Sequence, residues 1–475
     1  MILFLLRGRF DMDYDVLILG GGIVGCSVSY ELSKYNLNVA LIEKDYDIAD
    51  DVALIDSSIV YDGLECEDTL LSKLELMGNR IMPELASKFN IFFKKKGYLL
   101  LADSKKREEK LIKMYDTALN RGIENIYLLN NSKDIYNLEP SLNKTIRKAI
   151  YSKNTAVISP YDLAISYGEI AFDNGVNFKL GEEVLDIKNI SKGFRVITNK
   201  NKFTCNMVVN TTPRESYSID RENKFGKKRK YLKYFLLEEN SSKAYKNIIS
   251  VIGENDDKIY TIPTKENGIL IVLKSNKKMS NSEGLKRIKY FIKNISEKSI
   301  IPFYESVFYD DFLIIDDSLI DKGYIKIFGK HYGQVTMTPA IANIVCETIV
   351  SNLNCVLKKD FIDKRREVYK FRDLSNIERQ DIINLNKKYG KMICYCKKIT
   401  EGEIIDSIRR PLGARTIEGI RRRTSATFGN CKGSQCLCKV ASILSREINK
   451  DMTDILKDSK ESNIILGRIK EFDEM

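Results

Sequence analysis

Five cysteines lie close together near the end of the sequence. Cys394 and Cys396 are separated by one residue, Cys431 follows Cys396 by 35 residues, and Cys436 and Cys438 come soon after. Four thiolates in two groups suit either structural zinc or a two-iron cluster. Zinc sites favour at least two residues between paired cysteines, so the spacing favours a 2Fe–2S cluster. We predict Cys394, Cys396, Cys431 and Cys436 as its ligands, with Cys438 as a surplus cysteine that is either a substitute ligand or an inert thiol.

The residues around these cysteines predict a small helical domain. Thr400 and Glu403 form a capping-box pattern, so a helix should begin directly after the first cysteine pair. Thr416 closes a turn and should start a second helix. A fold of about fifty residues is too small to be stable without a bound metal. We predict a metal-binding domain over 391–446 and a C-terminal tail over 447–475.

A second chemical pattern lies near the N-terminus. A short apolar run leads into Gly20, Gly22 and Gly25, a helical segment follows, and a second apolar run ends at Glu43, 18 residues after Gly25. In such a pattern the glycines permit a tight turn, close approach to a pyrophosphate and helix–strand packing. The helix N-terminus offers N–H groups to the phosphates, and the acid binds the ribose hydroxyls. The pattern predicts a dinucleotide site but does not by itself separate FAD from NAD.

The segments that follow carry a resemblance to a known family. Their order resembles the FAD-dependent glycerol-3-phosphate dehydrogenase group, within the D-amino-acid-oxidase-like flavoproteins. The resemblance implies an α/β protein: a Rossmann-type FAD-binding domain with a β-sheet-based α+β substrate domain inserted, plus the small helical iron–sulfur domain. The segments are Asp51–Gly63, Gly97–Ala102, Glu139–Leu142, Val157–Leu163, Glu183–Val184 and Met207–Asn210.

The resemblance also implies domain boundaries and FAD-binding residues. The implied FAD-binding domain comprises 12–75, 145–215 and 315–358, the substrate domain 76–144 and 216–314, and a linker 359–390. The implied FAD-binding residues are Gly20, Gly22, Ile23, Val24, Gly25, Glu43, Lys44, Ser57, Val184 and Thr336.

The cysteine-bearing segment carries a resemblance of its own. From Cys394 through Thr400–Ile404, Arg410–Thr416 and on to Cys436, it resembles the bacterioferritin-associated-ferredoxin-like domain. That domain binds a 2Fe–2S cluster and is often fused to flavoproteins of the glycerol-3-phosphate dehydrogenase type. This resemblance implies the same four cysteine ligands.

Several positions depart from the flavoprotein pattern. Asp51–Ser58 replaces a small, Gly-rich loop, and Thr211-Thr212-Pro213 replaces an Ala-Ala-Gly turn. The segment 303–308 has no arginine where the family often has one facing substrate. Pro339 is expected at the start of a helix whose N–H groups point at the flavin. His331, the single histidine, is the acid–base candidate because its unperturbed pKa is near neutral, and the alternative is a hydrogen-bonding or surface residue.

Composition and charge limit the class of protein. The chain has 475 residues and a net charge of +12, and 12 Lys/Arg face 4 Asp/Glu within 391–446. The Arg421–Arg423 run has no nucleic-acid recognition module beside it, so we interpret it as a solvated face or a dock for an acidic partner. No apolar run is long enough to cross a membrane, so we expect any contact with a membrane to be peripheral. Clustered cysteines without an export signal favour the cytoplasm.

Two functions remain open from the sequence. In the first, the protein is an FAD-dependent dehydrogenase that oxidises a small polar substrate, glycerol-3-phosphate-like or amino-acid-like. Its electrons would pass through the cluster to an acceptor protein or partner oxidoreductase subunit. In the second, it is a non-catalytic electron-transfer or scaffolding subunit with a decayed flavin site.

Overall fold

The structure, a computed structural model, describes residues 12–50, 58–102, 104–142, 146–213, 215–220, 229–237, 245–252, 257–263, 268–291, 300–309, 312–429 and 431–467. Within these ranges the chain forms two eight-stranded sheets and two smaller ones. The strands are β1 (Tyr14–Leu19), β2 (Val39–Glu43), β3 (Ile59–Val60), β4 (Phe93–Lys95), β5 (Tyr98–Ala102), β6 (Ile126–Leu129), β7 (Lys148–Ser152), β8 (Ala156–Ile158), β9 (Asn177–Leu180), β10 (Val184–Asn189), β11 (Phe194–Thr198), β12 (Lys202–Asn210), β13 (Arg229–Leu237), β14 (Ile248–Ile252), β15 (Lys258–Pro263), β16 (Ile269–Ser275), β17 (Ile300–Tyr309), β18 (Phe312–Leu319), β19 (Tyr324–Lys330), β20 (Met392–Cys394) and β21 (Ile399–Thr400). The helices are α1 (Ile23–Leu32), α2 (Thr69–Lys88), α3 (Lys105–Asn120), α4 (Ser132–Leu138), α5 (Pro160–Asp173), α6 (Asn281–Phe291), α7 (Gln334–Leu353), α8 (Asn376–Leu385), α9 (Glu401–Arg409), α10 (Ile417–Thr424) and α11 (Leu437–Ile448).

The first sheet is parallel around β1, which lies between β2 and β12. β9 extends the sheet beyond β2, and β19 extends it beyond β12. The residues Val16–Leu19 are fully buried, because a parallel strand is covered on both faces. Helices α1, α5 and α7 pack on one face of this sheet. The predicted strand–turn–helix–strand unit is confirmed.

The second sheet has the order β17-β13-β16-β15-β14-β5-β7-β6 and is built from two separate parts of the chain. β5 and β14 join these parts through a parallel pairing. β7 belongs to this sheet, although the boundary predicted at residue 145 grouped it with the first sheet. Ser218 and Asp220, by contrast, bond to β10 and β19 of the first sheet. The assignment of FAD and substrate domains to these units stays a prediction.

Helices α2 and α7 cross in close contact beside the first sheet. A Cβ at Gly78 would overlap the carbonyl oxygen of Thr336, so only glycine permits this approach. Asp68 caps α2 by accepting a hydrogen bond from Leu71 N–H at 2.9 Å. α7 begins at Gln334, so the prediction that Pro339 stands at its start is wrong. Proline at this position costs helix stability, because it lacks an N–H and crowds the carbonyl four residues earlier. The first turn of α7 nevertheless forms, in close contact with Gly78 of α2.

The C-terminal unit packs β20, β21, α9, α10 and α11 around a core of its own. The predicted capping box of Thr400 and Glu403 is confirmed. Thr416 caps α10 by accepting a hydrogen bond from Gly419 N–H at 3.0 Å, which confirms the second predicted helix start. Ile455, in the segment predicted as a C-terminal tail, also packs on this core. The domain boundary at residue 446 stays a prediction.

The segment predicted as a linker is attached to the first unit. Arg365 and Arg366 pair with Glu169 and Asp173 of α5 at 2.6 and 2.7 Å. Lys370 pairs with Asp162 of the same helix at 3.2 Å. α8 follows and begins with a capping box. In the part of the chain that the structure describes, no helix has the length and apolar character needed to cross a membrane.

We expect Gly78→Ala to destabilise the protein by about 1–3 kcal/mol, because a methyl group forced between α2 and α7 must displace backbone. The free energy of unfolding from denaturant titration measures this. Gly390→Ala is the matched control, since its Cβ would lie 3.5 Å from the Ile383 side chain, an ordinary contact. Equal stability of the two variants would contradict the close crossing.

Candidate functional site

The four predicted cysteine ligands come together at one end of the C-terminal unit. Cys396 Sγ lies 3.5 Å from Cys431 Sγ. The thiols of Cys394 and Cys436 are in contact as well. Cys394 ends β20, and Cys436 immediately precedes α11, so both are anchored by secondary structure. The four sulfur atoms therefore form two close pairs, a donor set that fits a two-iron cluster held by two thiolates at each iron.

One edge of this thiol group is buried and the other is open. Cys394 and Cys436 are buried, whereas Cys396 and Cys438 are exposed. Burial, followed by the neighbouring Cys394, raises the pKa of the Cys436 thiol to about 11. At Cys431 burial acts in the same direction, but hydrogen bonds from Cys396 and from backbone N–H groups outweigh it and lower the pKa.

The glycine turn has the geometry that a bound pyrophosphate requires. Gly20 has a φ of +99°, which favours glycine. A Cβ at Gly25 would overlap the carbonyl oxygen of Gly20, so α1 begins flush against the end of β1. Gly22 stands at the helix start, which no side chain caps, and Ile23 and Val24 begin α1. The turn fits a phosphate group placed at the first N–H groups of the helix.

Glu43 lies at the end of β2, facing this turn. Its carboxylate accepts hydrogen bonds from Gly21 N–H at 2.5 Å and from Asp45 N–H at 2.9 Å. Its carbonyl accepts a bond from Glu182 N–H at 2.9 Å, which places Val184 two residues from that contact. Lys44 is exposed and pairs with Glu215 at 3.4 Å. Glu43 and the start of β10 are thus neighbours, as the dinucleotide pattern requires.

The altered turn after β12, which begins at Thr211, packs against the glycine turn. Thr211 Oγ1 donates a hydrogen bond to the carbonyl oxygen of Leu19 at 2.8 Å, and a Cβ at Gly25 would come within 2.9 Å of it. This contact was missed from the sequence, which showed only that the usual small residues were replaced. Ser57 and the departures at 51–56 lie outside the described residues.

His331 is buried at the start of α7, between Cys66 and Glu75. Its Nδ1 accepts a hydrogen bond from Gly333 N–H at 3.1 Å and lies 3.9 Å from Glu75 Oε1. Its Nε2 lies 4.0 Å from Cys66 Sγ. Because Nδ1 is an acceptor, this bond assigns the ring proton to Nε2. Burial raises the pKa of the Cys66 thiol to about 12, which keeps it protonated.

Thr336 connects α7 to β3 and does not stand open in a cavity. Its hydroxyl accepts a hydrogen bond from Tyr61 N–H at 3.0 Å and donates one to the carbonyl oxygen of Ile59 at 3.3 Å. It is fully buried. The hydroxyl therefore fixes the start of α7 relative to the small sheet of β3, β4 and β8.

A buried ion-pair network joins the C-terminal unit to the loop after Glu43. Arg423 pairs with Asp47 through two hydrogen bonds of 2.7 Å. These two side chains are only 3% and 2% exposed. Arg422 adds contacts to Asp50 and Asp458, each at 3.0 Å. The interpretation of these arginines as a solvated basic face is therefore wrong, because the acidic groups they bind lie in the same chain.

A second contact between the two units lies on α5. Arg410 donates to both carboxylate oxygens of Glu169, at 2.8 and 3.1 Å. Arg365 donates to the same carboxylate at 2.6 Å. The two arginines hold the pKa of Glu169 below its usual value despite its burial. The thiol-bearing unit is thus attached at two places, to α5 and to the loop beyond the glycine turn.

The fold and these two ligand sets define the class of protein. Residues 15–348 match the family described as FAD dependent oxidoreductase, and residues 392–446 match the family described as BFD-like 2Fe-2S binding domain. The chain belongs to the FAD-dependent oxidoreductase family and carries a 2Fe–2S domain of the BFD-like type. Both expected cofactors, FAD and the 2Fe–2S cluster, are confirmed at this level, and the zinc alternative is not.

Individual proteins that are similar to this chain indicate a more specific relationship within the family. A glycerol 3-phosphate dehydrogenase of Caloramator mitchellensis is 33% identical over 484 residues, which span 96% of this chain and 99% of that protein. An L-2-hydroxyglutarate dehydrogenase of Dictyostelium discoideum is 30% identical over 173 residues, 36% of this chain and 37% of that protein. The solved L-α-glycerophosphate oxidase from Mycoplasma pneumoniae has a TM-score of 0.65 at 18% identity, covering 75% of this chain and 99% of that one. The chain is a homologue of glycerol 3-phosphate dehydrogenase.

We expect Arg423→Gln to destabilise the protein by about 3–5 kcal/mol, because it leaves the Asp47 carboxylate buried without its partner. Asp47→Asn combined with Arg423→Gln should cost less than the sum of the single changes. Denaturant unfolding followed by flavin and cluster absorbance measures this. Arg421→Gln is the control, since Arg421 pairs with half-exposed Glu418 and should change stability by less than about 1 kcal/mol. Additive single and double effects would contradict the coupling.

We expect the burial of Asp458 to make the folded protein less stable as pH rises. Burial raises the pKa of Asp458 to about 7, Arg422 opposes that rise and Asp50 adds to it. An aspartate in an unfolded chain has a pKa of about 4, so between about pH 4 and 7 the folded protein holds more protons and loses stability as pH increases. Between pH 5 and pH 8, the melting temperature of Asp458→Asn minus that of the wild type should increase by about 2 °C. A constant difference across this range would exclude the effect.

Proposed function

We propose that the chain is a dehydrogenase that oxidises a small anionic polar substrate, of the glycerol-3-phosphate type, at FAD. It passes the electrons one at a time through the 2Fe–2S cluster to an acceptor protein. The observation that supports this most is that the glycine turn and the paired thiols lie on two units joined by the Asp47–Arg423 ion pair. A flavin can take two electrons and release them singly, which suits a one-electron centre.

The residues that we propose to hold FAD are those of the turn and its surroundings. The N–H groups at Gly22, Ile23 and Val24 bind the pyrophosphate, and Gly20 and Gly25 make room for it. Glu43 keeps acceptor capacity for the ribose hydroxyls beyond its two backbone bonds, since a carboxylate has about four lone-pair sites. The remaining proposed contacts are Lys44, Ser57, Val184 and, through its support of the α7 start, Thr336.

Two lysines favour an anionic substrate beside the start of α7. Lys258 on β15 and Lys274 on β16 place their ammonium groups 5.8 and 5.2 Å from the centre of the Tyr332 ring. Lys258 also pairs with the buried carboxylate of Glu65. Tyr332 packs edge-on against Tyr61 with ring centres 4.9 Å apart. We propose that this lysine pair takes over the role of the arginine that 303–308 lacks.

We propose His331 as a catalytic residue whose ring proton lies on Nε2. With Nδ1 accepting from Gly333 N–H, its Nε2–H is a hydrogen-bond donor in a buried site. This favours a role in orienting a substrate oxygen over removal of a proton, because a second proton on Nδ1 would break the Gly333 bond. To act as a general base, His331 would have to break its hydrogen bond with Gly333 N–H.

A cleft of about 920 Å³ lies between the proposed flavin side and the cluster side. Ser58, next to the proposed FAD contact Ser57, lines one end, and Ser425 and Phe428, just before Cys431, also line it. Arg421 packs on the Phe428 ring at 4.3 Å. We propose that electrons cross this region between the two redox groups.

Two proposals concern location and partners. None of the ten cysteines, all of which lie in the described residues, forms a disulfide, which supports a reducing compartment, and we propose the cytoplasm. Arg422 and Arg423 are engaged within the chain, which supports the absence of nucleic acid among the partners. Binding to phosphatidylglycerol vesicles tests whether the protein makes a peripheral contact with a membrane.

The visible spectrum of anaerobically purified protein tests this function. We expect flavin and 2Fe–2S absorption together, and bleaching of the flavin by glycerol 3-phosphate followed by reduction of the cluster. A cluster spectrum without flavin would instead support the alternative, a non-catalytic electron-transfer or scaffolding subunit. Material without iron would contradict both.

We expect Lys274→Gln to raise KM for glycerol 3-phosphate about 10–100-fold, since a charge-assisted hydrogen bond to an anion contributes about 1.5–3 kcal/mol. Flavin content should stay unchanged, and oxidation of uncharged glycerol should not weaken in parallel. Lys286→Gln on the exposed face of α6 is the control. An unchanged KM in Lys274→Gln would exclude the proposed anion site.

A further inference from the structure

Most basic residues of 391–446 have partners inside the protein. Their partners are carboxylates, backbone carbonyls or aromatic rings, and several cross to the first unit. The partnered residues are Lys391 with Glu401, Lys397, Arg409 with Glu447, Arg410 with Glu169, Arg415 with the Ile408 carbonyl, Arg421 with Glu418, Arg422 with Asp50, Arg423 with Asp47 and Arg446 with Glu401.

Three lysines are different, and all three stand beside cysteines. Lys398, Lys432 and Lys439 are exposed, and within the described ranges no ion pair joins them to another residue. Lys432 and Lys439 directly follow Cys431 and Cys438, and Lys398 stands two residues after Cys396. Their charges are therefore available at the surface around the thiols.

No carboxylate from the cysteine-bearing segments offsets these charges. The segments 391–400 and 419–446 contain neither Asp nor Glu. The Cys396–Cys431 contact of 3.5 Å brings the two segments together, and with them Lys398 and Lys432, which stand two residues and one residue from these cysteines. Tyr395 is 66% exposed and Cys396 is exposed on the same surface. We name Tyr395, Cys396, Lys398, Lys432 and Lys439 the lysine-rimmed edge.

We propose that the lysine-rimmed edge docks an acidic one-electron carrier protein, which is the acceptor left open by the proposed function on which this inference rests. Positive charges around the exit point of an electron steer an acidic partner onto it. Each oxidised substrate releases two electrons and two protons, and two carrier molecules each accept one electron in turn while the protons pass to solvent.

The position of the lysines favours a protein over a lipid surface as partner. Each stands within two residues of a cysteine, and Cys396 and Cys438 are exposed, so this is the side on which we expect an electron to leave the molecule. An anionic lipid headgroup would match the charge but accepts no electron. The docking surface is therefore expected to serve electron exit, with its affinity depending on salt because exposed charges are screened within about 10 Å at 0.1 M ionic strength.

The test compares two charge-reversal variants of the full-length holoenzyme. One is Lys398→Glu/Lys432→Glu/Lys439→Glu at the edge, and the matched control is Lys105→Glu/Lys106→Glu/Lys113→Glu on the exposed face of α3. The probe is an acidic flavodoxin, with binding to oxidised enzyme measured by calorimetry at 20 and 500 mM NaCl. Iron content and visible spectrum establish that each variant has kept its cluster.

We expect the edge variant to lose at least tenfold in flavodoxin affinity at 20 mM NaCl and the control to lose less than threefold, with the difference disappearing at 500 mM NaCl. Equal losses in the two variants, or none, would overturn the proposal. So would binding to phosphatidylglycerol vesicles through the same lysines without binding to flavodoxin. Turnover of wild type with a small neutral quinone tests the proposed function separately, so its failure is not confused with failure of the docking site.

Discussion

The arrangement of this protein depends on a buried ion pair between two units that could each have a core of its own. Asp47 and Arg423 are both removed from water, and each charge is tolerable there only because the other satisfies it. Asp47 follows Glu43 by four residues, and Arg423 lies in the last turn of α10, shortly before Cys431. The interaction therefore ties the segment that faces the glycine turn to the segment that carries the thiols, and it fixes their relative position.

The remaining contacts support this relationship from both sides. Thr211 closes the glycine turn from behind, and Thr336 fixes the start of α7 against β3. On the other side Glu169 receives Arg410 and Arg365 together. Each of these polar side chains bonds to a protein partner and so positions the backbone around it.

Much of the local structure could be predicted because its signals are local. The glycine turn, the capping box of Thr400 and Glu403 and the helix start at Thr416 depend on residues within a few positions of one another. One local prediction went wrong for a reason that is not local. α7 begins before Pro339, and its first turn packs against Gly78 of α2.

The sequence by itself determined which chemical groups are present and in what order, from the glycine turn and its acid to the paired cysteines. The glycine turn follows from short spacings, which the geometry of a strand, a turn and a helix converts directly into proximity, whereas the 3.5 Å contact of Cys396 with Cys431 joins residues 35 positions apart. Only the tertiary structure decided how each charge is used. Arg422 and Arg423 are buried against acids some 370 residues away, whereas Lys398, Lys432 and Lys439 remain at the surface. From the sequence alone, basic residues that will be buried cannot be told from basic residues that will be exposed, because the acidic partner that distinguishes them comes from a distant part of the chain.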